Sequence, residues 1–588
     1  MILKRSSTLV VHIVIVALLF LGIPWQFGSP TVGYAGPANH GGRNDPPDPC
    51  EQSLTPPGNA NGLHKRCDAI GIGGGAAKGD FNRDGFADLA VGVPYEDQNG
   101  IGSVGGVNII YGSSAGLTST GDQFLDETDF GFAYGGGDHF GWALAAGDFN
   151  GDGYSDLAIG MPDRDGEIVA NIGKVVVING SGSGLNTLTA TQLDVDVLGR
   201  AGAALVWGDF NGDGFADLAV GAPEADLIGF TGCIPLFQNG MSVGFVQVLY
   251  GAPRGLTTFA SQRWGQFGAV GCGADFQVGD SAEDGDRFGS SLAAGDFNGD
   301  SFDDLAIGVP FEDLGLFDKQ DAGMVNLVTG NISGLGHRSQ NITQDSSGVG
   351  GAAETGDQFG RVLTVGDFNG DGKDDLAVGI PFEDLGSNAR DDAGAVQVFF
   401  GIPSPDVLVA TSGSLFISQA SLPGENIEAG DHFGWALAAG DFDSDGRDDL
   451  AIGSPGEAVS SNTISDAGLV SVLYGSPSGP SFTRVQEWTQ DSSGVPDSAE
   501  PGDQFGYALS AWDYNFDGRS DLAIGVPFED VLSTSTGTQQ IDAGAVNLIY
   551  GSPTGLSATA RPAQLWTQDS PGINDTAQTG DRFGQALY

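Results

Sequence analysis

Asp148, Asn150, Asp152 and Asp156 stand at positions 1, 3, 5 and 9 of the stretch GDFNGDGYSDLAIGMP, counted from Asp148. Oxygen-bearing side chains at this spacing, with Gly153 at position 6 to let the chain turn, make a donor set for a hard divalent cation. Several carboxylates on a flexible loop suit Ca2+ better than Mg2+, which demands octahedral geometry and gives up water reluctantly. Position 7 would add its main-chain carbonyl. The likeness to an EF-hand stops at position 9, because position 12 is Ile159 and not a bidentate Glu. Asp156 is therefore expected to complete the shell.

The pattern returns in six further segments. Before Asp148 lies the set Asp80, Asn82, Asp84 and Asp88, and after it Asp209, Asn211, Asp213 and Asp217. Asp296, Asn298, Asp300 and Asp304 follow, then Asp367, Asn369, Asp371 and Asp375. Asp441, Asp443, Asp445 and Asp449 precede Asp513, Asn515, Asp517 and Asp521. The leading Asp residues are 68, 61, 87, 71, 74 and 72 residues apart, so one unit is copied seven times. Asp, Asn and Gly also make ordinary solvated turns. A turn needs no acid at position 9, however, and all seven segments have one. The expectation is up to seven structural Ca2+ ions. Loop four carries Ser301 where the turn favours Gly, and loop six gains a charge by having Asp443 in place of Asn.

Each loop needs a frame. DLAIG and its copies read as a strand directly after the acids, and a second series, from GGVNIIYG at Gly105 to GAVNLIYG at Gly544, is Gly-bounded and rich in Val and Ile. Phe-Gly precedes the loop at Phe140, Phe288, Phe359, Phe433 and Phe505, while repeats one and three have Ile72-Gly73 and Ala201-Gly202. A unit is thus strand, acidic loop, strand, strand and a variable fourth strand such as LWTQ at Leu565. No window shows a helical stripe. Seven small antiparallel sheets hide their edges by radial repetition, so the expected fold is all-β: a seven-bladed propeller of four-stranded blades over residues 71–588. GDRFGQALY, residues 580–588, is an eighth Phe-Gly segment that would close the ring near Gly71–Lys78 or belong to a longer array.

These motifs resemble the FG-GAP repeat proteins, the blades of the integrin alpha-subunit propeller. The likeness rests on FG at Phe140 and Phe433, DFNGDGxxDLA at Asp148 and Asp209, and the literal GAP at Gly221–Pro223. It implies calcium loops between the first two strands of a blade, and a non-enzymatic binding module of the adhesion type. The chain departs from the integrin pattern by keeping an acidic loop in all seven repeats and showing no leg domains or inserted ligand domain.

Acidic residues outnumber basic ones 76 to 23 in 588 residues, a net charge of −53, which argues against nucleic acid and anionic membranes as partners. Lys4 and Arg5 before the apolar run Leu9–Ile23 read as a secretory signal over residues 1–35, with an uncleaved anchor as the alternative. No later segment reads as a transmembrane span. Residues 36–70, rich in Pro, Gly and Asn, read as an extension. In an exported chain the cysteines would pair locally, Cys50 with Cys67 and Cys233 with Cys272; neither pair has the spacing of a zinc site. Sequons occur at Asn179, Asn331, Asn341 and Asn574.

Two motifs mimic catalytic ones. GSSAG at Gly112 fits a nucleophile elbow, but the same turn reads GAPRG and GSPTG in other repeats, so Ser114 is a hairpin residue. GIGGGA at Gly71 precedes an acidic loop and no helix. His139 and His432 read as strand-start surface residues, and Tyr111, Tyr250, Tyr474, Tyr550, Trp142 and Trp435 as blade packing. The sequence therefore points to a secreted or surface-attached, monomeric propeller binding an extracellular protein or glycan. A secreted hydrolase or a passive scaffold is the alternative. The long third unit, between Gly221 and Gly285, breaks the symmetry and could carry recognition.

Overall fold

The computed structural model describes residues 79–588 except 167–169, 194, 196–198, 226–241, 267–275, 280, 316–318, 337, 387–390, 405–406, 424–426, 460–462 and 534–536. The expected signal, the extension, residues 71–78 and all four cysteines lie outside the described residues.

The second strand of every blade begins at or next to the position-9 Asp, as in Asp156–Met161, and is buried along its whole length. It is flanked on both sides, so it reads as a continuous apolar run and not as an alternation. In the second blade Leu144–Gly147, Asp156–Met161, Lys174–Asn179 and Asn186–Leu193 pair antiparallel in that order. The other blades repeat this arrangement, giving a seven-bladed β-propeller. The third-blade sheet gains a fifth strand, Phe276–Gln277, parallel to Thr257–Gly265. Helical structure is confined to short pieces, among them the two 3-10 turns Glu127–Phe130 and Gln419–Ser421.

The apolar cores lie between blades. Phe81 and Val107 of the first blade meet Phe140, Leu157, Ile159 and Val176 of the second in one buried cluster. The Phe-Gly phenylalanines Phe140, Phe288, Phe359, Phe433, Phe505 and Phe583 are all fully buried. Gly160 shows why the DLAIG motif ends in glycine: a Cβ there would lie 2.0 Å from the carbonyl oxygen of Gly202, on the next blade.

The ring closes with strands from far-apart parts of the chain. Leu89–Val93, the second strand of the first blade, pairs on its inner side with Ala586–Leu587, so residues of the eighth Phe-Gly segment serve as that blade's first strand.

Candidate metal centres and the axial face

Six of the acidic loops join the first and second strands of their blades, and the loop at Asp80 leads into the second strand of the first blade, whose first strand is Ala586–Leu587. In each, position 1 organises the turn: Asp148 Oδ1 accepts the N–H of Gly151 (2.7 Å) and Asp152 (3.0 Å), and Oδ2 that of Gly153 (2.8 Å). Position 6 is left-handed throughout, including at Ser301, whose φ of 75° keeps the loop shape at the cost of strain. Position 4 is left-handed too, with glycine in four loops and Arg83, Ser444 and Phe516 in the others.

Position 9 does more than the sequence suggested. Asp156 is fully buried, and its Oδ2 accepts from Phe149 N (3.1 Å) while its Oδ1 accepts from Gly180 N (3.0 Å), at the end of the third strand. Asp88, Asp217, Asp304, Asp375, Asp449 and Asp521 likewise each accept from the glycine at the end of their third strand. An acid at position 9 is thus required by the fold, and its presence in all seven loops is not by itself a sign of a metal.

Burial pushes these carboxyls up, and the neighbouring loop carboxylates add to it against the pull of the glycine N–H. Asp156 rises to about 7, and Asp217, Asp304, Asp375 and Asp449 to about 8. A bound cation would reverse that shift by favouring the charged form.

Asp441, Asp443 and Asp449 are the best-formed donor set: among the described residues they are the one group of three whose ligand atoms all lie within 4.8 Å of one another. In loops two, four, five and seven the position-3 amide instead points its nitrogen at the position-9 carboxylate, as Asn150 Nδ2 does to Asp156 Oδ2 at 3.0 Å. Turning that amide over would present Oδ1. Asp84, Asp152, Asp213 and Asp300 at position 5 accept the N–H two residues on and face outward. Asp371, Asp445 and Asp517 pair with the basic residue at position 7: Lys373, Arg447 and Arg519. The donor chemistry therefore fits a hard divalent cation, most completely in loop six.

The loops are also joined to one another. Ser155 N donates to Asp80 O, Ala216 N to Asp148 O, Asp303 N to Asp209 O and Asp374 N to Asp296 O. Asp448 N to Asp367 O, Ser520 N to Asp441 O and Ala87 N to Asp513 O complete a ring of seven bonds. No spacing rule revealed this belt, because every bond crosses from one repeat to the next.

At the opposite end of the strands, half-buried aromatic and cationic side chains collect around the axis. Tyr95 meets His139 (5.0 Å) and Trp142 (6.4 Å), and Arg200 lies over Trp142. Arg361 lies over both Phe382 and Trp435; Trp435 meets Tyr507, and Tyr507 meets Phe528. Arg582 spans Phe528 (4.7 Å) and Tyr95 (4.4 Å). Trp142 and Trp435 are thus members of a half-exposed axial crown and not buried packing between sheets. His139, expected at the surface, is held by Asp163 at 2.8 Å. Tyr111, Tyr250 and Tyr474 are blade-packing residues, their hydroxyls accepting from Leu185, Leu335 and Leu556 N of the following blade. Ser114 lies in a hairpin turn, its carbonyl accepting from Arg561. Asn574 donates its amide to Asp122, and no helix among the described residues is long and apolar enough to cross a membrane.

Fold and loops together define a propeller whose blades each carry an acidic loop leading into the second strand. The FG-GAP repeat family matches residues 73–109, 140–178, 201–233, 288–325, 359–399, 433–473 and 505–542. The chain is an FG-GAP repeat protein of the integrin-alpha-like kind. It is 30% identical over 246 residues to phosphatidylinositol-glycan-specific phospholipase D of Bos taurus, covering 41% of this chain and 26% of that protein. It is 30% identical over 254 residues to integrin alpha pat-2 of Caenorhabditis elegans, covering 42% of this chain and 18% of that one. The chain thus spans about a quarter or less of the length of these relatives. A solved rhamnogalacturonan lyase, YesW, aligns over 70% of this chain and 71% of its own at 17% identity, with a TM-score of 0.30, too low to add to the fold described.

Proposed function

We propose that the protein is an extracellular, calcium-stabilised propeller that binds a protein or glycan ligand on its axial face. The observation that carries the binding role is the crown from Tyr95 through Trp435 and Tyr507 to Arg582. Trp, Tyr and Arg are the side chains that dominate binding surfaces, and here they stand half-exposed where no sheet needs them for its core. Calcium would be structural: each ion would offset clustered carboxylates and pin the turn between two strands.

The tests are separable. Calorimetry with and without EDTA should show a lower melting temperature in EDTA; an unchanged one defeats the calcium role. A pull-down or glycan array run with calcium should find a ligand that the Trp435→Ala and Arg361→Ala variants lose. Retention by both variants would move the binding site elsewhere. The phospholipase relatives motivate a hydrolytic alternative, which a lipase assay on the purified chain addresses directly.

A further inference from the structure

A second oxygen-rich constellation recurs where one blade hands over to the next, at the crown end and away from the loops. It has three constant parts: a Gln just past a fourth strand, a Glu three residues past the next blade's second strand, and the Asp two residues before Phe-Gly. Gln568, Glu96 and Asp581 form it where blade seven meets blade one, and Gln490, Glu529 and Asp503 where blade six meets blade seven; all six are buried. Gln568 Nε2 donates to Glu96 Oε2 at 2.6 Å and Gln490 Nε2 to Glu529 Oε2 at 2.7 Å.

These two junctions each hold a third carboxyl. Asp575 accepts from Gln568 Nε2 (2.9 Å) and from Asn108 Nδ2 (3.4 Å). Its counterpart Asp497 stands beside Glu529 and, like Asp581 beside Glu96, adds to burial in pushing that carboxyl up. Among the described residues none of the six acids forms an ion pair with a Lys or Arg. The Glu and the Asp before Phe-Gly are buried in both junctions, whereas Asp575 is half-buried and Asp497 exposed, and carboxylates gathered in this way repel one another when ionised.

Amide oxygens stand unused beside them. Gln568 Oε1, Asn108 Oδ1, Gln490 Oε1 and both amide atoms of Asn547 are buried without a hydrogen-bond partner, on side chains that are no more than 1% exposed. Gln568 and Asn108 already bring their amide groups to Asp575, so turning either over places its oxygen among the acids.

The chain itself supplies the comparison. Where blade one meets blade two, Arg164 occupies the Glu position and Glu127 the Gln position. Arg164 Nη1 reaches Glu127 Oε2 at 2.7 Å and also bonds Asp138. The third-strand residue in register with Asn108 is there Val176. So the junction that carries its own cation has lost the amide, and the two acid-rich junctions that keep the amide have no cation.

We propose that the Glu96–Asp575–Asp581 and Glu529–Asp497–Asp503 junctions each bind a Ca2+ ion, separate from the seven loop sites. The junction carboxylates are less closely set than Asp441, Asp443 and Asp449 and would draw in around the ion; with the Gln oxygen and the third-strand Asn oxygen they would then supply five donors, and water completes the six to eight that Ca2+ takes. The ion would tie a fourth strand and its linker to the next blade's second and third strands, in the place Arg164 fills by itself.

Equilibrium dialysis of the full chain against Ca2+ alone tests this with two variants patterned on other junctions. Glu96→Arg with Gln568→Glu copies Arg164 and Glu127, and Asp497→Gly copies Gly351, whose Cβ would stand 3.0 Å from Gln344 Nε2 and 3.2 Å from Glu383 Oε1. Each should keep the wild-type circular dichroism and bind one fewer tightly held ion. Unchanged stoichiometry in both variants overturns the proposal. Asp449→Asn reads a loop site in the same assay, so failure of the junction sites is distinguished from failure of the loop sites.

Discussion

Tyr588 and Ala90 exchange both main-chain hydrogen bonds, each 3.0 Å long, and so join the end of the chain to the first described blade. Tyr588 also donates its hydroxyl to Ala146 O at 2.7 Å, on the second blade. One residue thereby holds two blades. Removal of residues 586–588 should lower the melting temperature of the whole ring in a single transition, and Tyr588→Ala alone should cost roughly 2 kcal/mol. Chemical denaturation with two spectroscopic probes checks it; an early, separate transition for the first blade would contradict closure by this strand.

Positions 5 and 9 of a loop should separate metal binding from folding. Asp156 holds two backbone N–H groups in the core, so Asp156→Ala leaves both unsatisfied and should destabilise by about 3 kcal/mol even in EDTA. Asp152 is exposed, and its carboxylate accepts only the N–H of Tyr154. Asp152→Ala should leave stability in EDTA within about 0.5 kcal/mol of wild type while removing calcium-dependent stabilisation. Denaturant titration of both variants, with and without calcium, gives the four numbers needed.

What was legible in the sequence follows from distance along the chain. The strands and the acidic turns are written in neighbouring residues, and the Asp148 carboxylate indeed bonds only residues three to five positions away. The second role of Asp156 was hidden because Gly180 lies 24 residues on. The belt from Ser155 to Asp80 and its copies was hidden for the same reason, since each bond joins two repeats. The crown is assembled from one or two side chains per blade, such as Trp435 and Tyr507, whose meeting depends on ring closure. Buried Glu96 sits in a PYED motif that looks like an ordinary charged turn until Gln568, from the far end of the chain, is placed against it.

The Glu383–Asp357 junction, which has Gly351 in place of a third acid, should make the protein less stable as pH rises. Burial first, then repulsion from Asp357, pushes the Glu383 carboxyl up to about 8, and burial pushes Asp357 up to about 7. Both folded values exceed the unfolded ones near 4, so the folded state binds more protons between about pH 4 and 8, and the stability these groups give is lost across that window. Glu383→Gln keeps an acceptor for Gln344 and carries no charge. Its melting temperature should match wild type near pH 5 and exceed it at about pH 8; a wild-type slope in the variant would remove Glu383 as the cause.

Arg484 should oppose calcium in loop six. Its guanidinium bonds Asp443 Oδ2 and lies over the Tyr474 ring at 4.0 Å, so it already neutralises one of the three best-placed ligands. A cation entering between Asp441, Asp443 and Asp449 must displace that contact or share it. Without calcium, Arg484→Ala leaves Asp443 facing two other carboxylates with only the Asp445 N–H as partner and no cation, and the fold should weaken. With calcium, the same substitution frees an oxygen and should tighten binding at this loop several-fold. The two effects have opposite signs in one variant: a lower melting temperature in EDTA together with a larger upward shift on adding Ca2+. Thermal denaturation across a calcium series measures both. If Arg484→Ala lowers stability equally at every calcium concentration, the arginine serves packing on Tyr474 alone and Asp443 is not a ligand.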